Sequence, residues 1–420
     1  MNDSLVILGR QPELGMAELE SLYGAANVMP VSTHAARLTI APCSIDFDRL
    51  GGAIRLCKML TELDTTNWKQ VEKFLIQVSP AQAAKMPEGK MHLGFSIYGL
   101  DVSPQHLLAT GLNLKKAIQK HSGRSVRLVP NKSVELNTAQ VIYNKLTSPN
   151  GWELIFVRDG NRTLVAQTVY VQDIDSYAER DFGRPKRDAR VGMLPPKLAQ
   201  TIINLAAGPD EFLAIKDQLS NDMVCMPPED VQKMHAERAS VIVLDPFCGT
   251  GVVLQEALLM GYKAAGTDIE PRMIDYTRQN LEWLAVKHPE VAGKYDLSAA
   301  DATENNWPLI SMVACESYLG RPFTSAPSAE VLAQTASDCN LIIKKFLKNI
   351  HPQLKPGTRL CVAIPAWQVR TGDFRHLPLV DQLSDIGYNQ VRFERAKNED
   401  LLYYRPDQIV ARELLVITRK

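Results

Sequence analysis

The stretch Val241-Ile-Val-Leu-Asp245-Pro-Phe-Cys-Gly-Thr-Gly251, running into Val252–Met260, decides how this chain is read. A β-rich run ends in an aspartate, a glycine-containing turn follows, and a helical run follows the turn. Such a strand–turn–helix lets a ligand approach backbone amides at a helix N-terminus. Gly249 and Gly251 leave room for that approach, and Asp245 can accept hydrogen bonds from an ammonium group. Working outward, Lys263–Thr267 is a second strand ending in Asp268, a suitable acceptor for the two hydroxyls of a ribose. A third, around Tyr295–Ala300, ends in Asp301-Ala302, placed to meet an adenine. Three successive strands ending in carboxylates put all three at one carboxyl edge of a parallel sheet, where open α/β sheets bind ligands.

A nicotinamide dinucleotide is the first alternative for a glycine turn of this kind. Its G-x-G-x-x-G fingerprint fails here, because Leu254 stands where the third glycine belongs. A dehydrogenase also has no need of the third carboxylate. Taken singly, Asp268 or Asp301 is an ordinary loop aspartate; taken in order, the set fits S-adenosylmethionine. Its methionine end would lie on the turn, which makes Asp245, Phe247, Gly249, Gly251, Asp268, Asp301 and Ala302 the candidate cofactor-binding residues.

The N-terminal half alternates short elements. Residues 1–60 give a strand at Leu5–Leu8, a helix from Pro12 to Tyr23, a strand around Ala36–Ile40 and a helix from Asp46 to Leu60. Residues 61–171 give helices at Asn67–Val78, Ser103–Lys120 and Thr138–Leu146, and strands at His92–Ile97, Ser125–Val129, Glu153–Arg158 and Thr163–Val171. Ser103-Pro104 is a good helix start, and Asp159-Gly160-Asn161-Arg162 is a hairpin signal. The two blocks are expected to be separate small α+β units, the first ferredoxin-like. Residues 172–192 form a connector with the densest basic run in the chain: Arg180, Arg184, Lys186, Arg187 and Arg190. A helix over Leu194–Ala206 then leads into the C-terminal domain, residues 193–420.

Composition narrows the classes. Lys plus Arg (47) equals Asp plus Glu (47), so nucleic-acid binding requires a local patch rather than a global field. Seven scattered cysteines without a C-x-x-C pair suggest reduced thiols. The histidines show no ligand spacing, so no metal is expected. No apolar run approaches the roughly 20 residues of a membrane span, and a soluble cytoplasmic protein is expected.

The turn, together with Gly266-Thr-Asp268-Ile-Glu-Pro-Arg-Met-Ile and Gln279-Asn280-Leu281, resembles Rossmann-fold methyltransferases that modify exocyclic amino groups. The likeness is greatest to the THUMP-domain tRNA guanosine-N2 methyltransferases. Arg184-Pro-Lys-Arg and Leu194-Pro-Pro-Lys-Leu-Ala look like that family's connector, and the block before it like its RNA-binding THUMP region. The resemblance implies an α/β C-terminal domain with a mostly parallel seven-stranded sheet. A long helix over Ala329–Ile350, a strand at Gly357–Ile364, a helix at Leu377–Ile386 and closing strands at Val391–Arg395 and Glu413–Thr418 suit it. It further implies tRNA or another structured RNA as partner, contacted by the basic connector.

In that family the fourth strand ends in Asp-Pro-Pro-Tyr, whose polar side chain and a backbone carbonyl accept hydrogen bonds from the target –NH₂. Holding both N–H groups frees a lone pair otherwise delocalised into the ring. Here the corresponding stretch is Cys315-Glu316-Ser317-Tyr318, with both prolines replaced. Either Cys315 stands in the acidic position or Glu316 serves after a shortened loop. Glu316 is preferred because a thiol is a poor acceptor, and Tyr318 supplies the stacking ring. The alternatives are a DNA amino-methyltransferase acting on adenine N6 or cytosine N4, and a catalytically silent RNA-binding protein that keeps the fold.

Overall fold

The computed structural model describes residues 3–188, 193–209, 232–233, 236–323, 327–370, 372–405 and 408–420. The N-terminal half runs β1 (Ser4–Leu8), α1 (Pro12–Tyr23), β2 (Val28–Ser32), β3 (Ala35–Leu38), β4 (Ala53–Leu63), α2 (Trp68–Ala83), β5 (Met91–Tyr98), α3 (Pro104–Ser122), β6 (Val126–Leu128), α4 (Thr138–Tyr143), β7 (Gly151–Asp159) and β8 (Arg162–Val171). Local chemistry places several of these as expected. Ser103 caps α3 by accepting from the His106 amide at 3.2 Å, and left-handed Gly123 ends it. The β7–β8 hairpin turns at Gly160, with φ at +58°.

The expectation of two separate units is overturned. All eight strands form one sheet in the order β2-β3-β1-β4-β8-β7-β5-β6, and the boundary drawn at residue 60 falls inside β4. The helix expected over Asp46–Leu60 does not form. Only a short 3₁₀ turn, Phe47–Arg49, precedes Gly51-Gly52 and then β4. The two glycines oppose a helix and are needed where they stand. A Cβ on Gly51 would lie 1.9 Å from the Lys197 carbonyl oxygen, and one on Gly52 would lie 2.4 Å from Gly15 Cα. Beyond them, β4 pairs β1 on one side and β8 on the other. A central strand packed on both faces loses the polar–apolar alternation by which strands are recognised.

The connector contains α5 (Ile174–Phe182) and is followed by α6 (Pro196–Ala207). The C-terminal domain then runs β9 (Ile242–Asp245), α7 (Val252–Leu259), β10 (Lys263–Asp268), α8 (Pro271–Lys287), β11 (Tyr295–Ala299), β12 (Met312–Glu316), α9 (Ala329–Ile350), β13 (Arg359–Arg370), β14 (Asp373–Arg375), β15 (Tyr388–Gln390), β16 (Leu402–Tyr403) and β17 (Val410–Arg419). Its sheet follows β11-β10-β9-β12-β13-β17-β15, with β14 and β16 attached to β13 and β17. The first five strands are mutually parallel, and β17 is inserted antiparallel between β13 and β15. A mostly parallel path of seven strands was the expectation from sequence. Two details differ. The helix expected at Leu377–Ile386 is a pair of 3₁₀ turns, and the edge strand is Tyr388–Gln390 rather than Val391–Arg395. The amides of Glu394 and Arg395 go instead to the Glu20 carboxylate on α1, at 2.6 and 2.7 Å.

That last contact shows how the halves are joined. One continuous core takes Leu8, Leu19 and Leu22 from the first half, Leu198, Ile202 and Leu205 from α6, and Val243, Val253 and Leu414 from the second. Helix α6 is buried at ten positions because both sheets' helices pack on it. At its centre Asn204 donates to Glu18 Oε1 at 2.7 Å and to the Arg49 carbonyl at 2.9 Å, and accepts from Arg49 Nε at 2.9 Å. Glu18 also receives the amides of Gly51 and Gly52. Replacing Asn204 with Leu would strand these buried groups, so a loss of about 3 kcal/mol is expected in chemical denaturation. Asn113→Ala, which breaks the exposed bond to Glu72, should change stability by less than about 0.5 kcal/mol.

Candidate active site

The turn between β9 and α7 is fixed by its backbone. The Cys248 amide donates to the Thr267 carbonyl at 2.9 Å and the Gly251 amide to the Cys248 carbonyl at 2.7 Å. Thr277 on α8 donates its hydroxyl to the Gly249 carbonyl at 2.8 Å. Gly249 and Gly251 both have positive φ, +52° and +83°, and a Cβ on Gly251 would meet Thr277 Cγ2 at 2.7 Å. Phe247 packs edge-on against Phe346 of α9, with centroids 5.2 Å apart.

The strand register sets the carboxylates on one edge. Gly266 pairs with Asp245, so Asp268 lies two residues beyond it; Val313 pairs with Leu244, so Glu316 lies two residues beyond on the other side. Asp245 is 2% exposed and among the described residues accepts a single hydrogen bond, from the Phe247 amide at 3.1 Å. Burial pushes its pKa well above the usual carboxylate range, and the charges of Asp268 and Glu316 push it further. Asp268 accepts from the Gly249 amide on one oxygen and the Glu270 amide on the other, both at 2.9 Å. It therefore braces the turn while keeping lone pairs for a ligand. Asp301 stands just past β11 and accepts from the Thr303 amide at 2.8 Å, and Ala302 beside it is buried. Ile269, between Asp268 and Glu270, is 65% exposed, an apolar surface at this edge that the sequence reading did not single out.

The fourth strand separates the two candidate acceptors. Cys315 is completely buried in the core around α9, and burial holds its thiol well above its ordinary pKa. Glu316, one residue on, is partly exposed at the edge, where its Oε1 accepts from Arg412 Nε of β17. Tyr318 is 43% exposed. Arg412 reaches Glu316 across β13 from 96 positions away, and no spacing rule could have found it.

The basic connector is not one exposed face, contrary to expectation. Arg180 is turned inward to Glu256, with Nε 2.9 Å from Oε1. Arg184 is 4% exposed, with Nη1 3.4 Å from Thr250 Oγ1. A backbone that must cross the glycine turn brings its side chains into contact with α7. Lys186 is partly exposed, over the Tyr276 ring, and Arg187 is exposed, over Phe182. Arg190 lies outside the described residues. Asn280 of α8 fastens the connector. Its carbonyl oxygen accepts from the Lys186 amide at 2.9 Å, and its amide group donates to the Lys186 carbonyl at 3.0 Å and the Thr250 carbonyl at 2.9 Å. Among the described residues no cluster of His, Cys, Asp and Glu could hold a metal ion, and no helix is long and apolar enough to cross a membrane.

No family model matches the chain. A 123-residue segment, 29% of this chain, is 30% identical to a tRNA (guanine(10)-N2)-dimethyltransferase of Methanothermobacter thermautotrophicus, covering 32% of that protein. A 147-residue segment, 34% of this chain, is 30% identical to the enzyme of the same name from Pyrococcus abyssi, covering 40% of it. The matches thus span about a third to two fifths of those relatives' length. Among solved structures, TrmN from Thermus thermophilus superposes with a TM-score of 0.50 at 14% identity, covering 100% of both chains. The chain therefore shares its fold with that structure. Because three backbone groups of the connector and turn depend on Asn280, Asn280→Ala should speed hydrogen exchange at Lys186 and across 249–251. Exchange in β1–β4 should be unchanged.

Proposed function

We propose that this chain is an S-adenosylmethionine-dependent methyltransferase acting on the exocyclic N2 of a guanosine in tRNA. The observation that carries the reading is the glycine turn held between Asp245 and Asp268, at the same sheet edge where Glu316 and Tyr318 emerge. The segmental identity to two tRNA (guanine(10)-N2)-dimethyltransferases supports the substrate class.

The residues present fit the methyl donor. A buried carboxylate with one hydrogen bond, as at Asp245, is suited to a cation, and the donor's ammonium would supply it. Asp268 would take the ribose hydroxyls on its remaining lone pairs. Asp301, Ala302 and exposed Ile269 would border the adenine, and Phe247, Gly249 and Gly251 would line the methionine end. When bound, S-adenosylmethionine supplies a methyl group made electrophilic by its sulfonium sulfur. Glu316 is assigned as the acceptor from the target amine rather than Cys315, whose burial removes it from the edge. Arg412 fixes one carboxylate oxygen, leaving Oε2 without a partner among the described residues and open to the amine. Tyr318 offers an exposed ring to stack on the base. The N-terminal sheet, the partly exposed Lys186 and the exposed Arg187 are assigned to RNA contact, and the cytoplasm is the compartment assigned with a tRNA substrate. The Glu316–Arg412 pair is also what favours the silent reading, since a compensated carboxylate is a weaker acceptor.

Incubating the protein with total tRNA and labelled donor tests the reading, with label expected in N2-methylated guanosine. Label only in duplex DNA, or none on any RNA, would overturn it. In single-turnover assays Glu316→Gln, which keeps an acceptor oxygen, should lose less rate than Glu316→Ala, and Tyr318→Phe less than Tyr318→Ala. Donor affinity should stay near wild type in all four.

Asp245 gives a test independent of turnover. With its pKa raised, it holds a proton in the free protein at lower pH; an ammonium beside it favours the ionised form, so binding expels that proton. Donor affinity should therefore rise as pH climbs toward the raised pKa and level off above it. Calorimetry below that plateau should show binding enthalpies that vary with the buffer's ionisation enthalpy. Buffer-independent enthalpies would show that Asp245 is already ionised.

A further inference from the structure

We infer that Arg184 is the seat of the methyl donor's α-carboxylate, so that the connector, not the Rossmann domain alone, completes the donor site. The inference rests on the donor-binding reading above. Its starting point is an electrostatic anomaly. Arg184 is 4% exposed, yet its Nε and Nη2 are buried without a hydrogen-bond partner among the described residues. A guanidinium has five donors and no means of escaping its charge, so leaving two nitrogens unmatched away from water is costly unless an anion arrives.

The position names the anion. Nη1 faces the hydroxyl of Thr250, the residue between the turn's last two glycines, so the guanidinium lies against the turn itself. The connector backbone is held there by the paired bonds of Lys186 to Asn280 and by the Arg272–Asp188 ion pair at 3.2 Å. A phosphate of an RNA chain is too bulky to reach a side chain this enclosed. A small carboxylate that comes in with the ligand covering the turn is not. The ligand assigned to the turn is an amino acid at that end, with ammonium and carboxylate on one carbon. Asp245 at the start of the turn offers the charge for the first and Arg184 toward its end the charge for the second. A bidentate guanidinium–carboxylate contact would satisfy the orphaned nitrogens.

Two carboxylates within the fold are rivals: Asp181 on α5, whose charge acts more strongly on Arg184, and Glu256 on α7, fully buried and also carrying an oxygen, Oε2, unmatched among the described residues. The other oxygen of Glu256 is taken by Arg180 and Gln255, and Glu256 makes no direct ion pair with Arg184. If Arg184 serves only to balance these carboxylates within the fold, the donor's carboxylate will be irrelevant to it.

Calorimetry on the full chain separates the two, with S-adenosylmethionine compared against decarboxylated S-adenosylmethionine, which keeps sulfonium, ammonium and adenosine. The wild type should bind the carboxylated ligand about 30-fold more tightly, as a lost charge-assisted contact implies. Arg184→Gln should remove most of that preference, weakening the carboxylated ligand about 30-fold and the decarboxylated one less than about threefold. Arg184→Lys, which keeps the charge and guards against misfolding, should retain part of it. Equal wild-type affinity for both ligands would overturn the inference, as would Arg184 variants, folded by circular dichroism, that weaken both ligands equally. Failure of the wild type to bind either ligand would instead overturn the donor-site reading itself.

Discussion

The side-chain amide of Asn280 is the contact on which the edge of the C-terminal sheet depends. It is buried, and it meets three backbone groups that no secondary structure satisfies: both polar groups of Lys186 and the carbonyl of Thr250. A turn built on two positive-φ glycines has few side chains to hold it, so its shape must be imposed from outside. Asn280 and Thr277 impose it from α8, and Asp268 from the neighbouring strand. An amide serves where a carboxylate would not, because the site needs one acceptor and two donors from one group.

What could be read from sequence divides along the same physical line. The strand–turn–helix at 241–260 and the carboxylates that end β9 and β10 were legible because each depends on neighbours a few residues away. By contrast, β4 was hidden because a strand buried on both faces carries no alternation, although Gly51-Gly52 was a warning against the helix assigned there. The one-sheet architecture was hidden with it.

The charged residues show a second limit. Arg180 and Arg184 look in sequence like Lys186 and Arg187, but the first two are turned inward and Arg187 is exposed. Charge density along a chain says nothing about which way a side chain faces. The Glu18–Asn204 bond spans 186 positions and Glu316–Arg412 spans 96, so each is the product of a completed fold rather than of a local pattern. Asn280 was visible within a recognisable stretch, but its role as a clasp needed the connector's path.

The shared core around α6 has a geometric consequence. Two halves joined by a flexible tether would be free to shift against one another. Here Asn204, Glu18 and Arg49 lock the N-terminal sheet to the helix on which the second sheet packs. The distance from one surface to the other is then a property of the folded body, as fixed as the length of a caliper. Under the function proposed above, a tRNA held by the first half would have to present its target at that one reach, and selection among otherwise identical guanosines would be made by measurement rather than by reading bases.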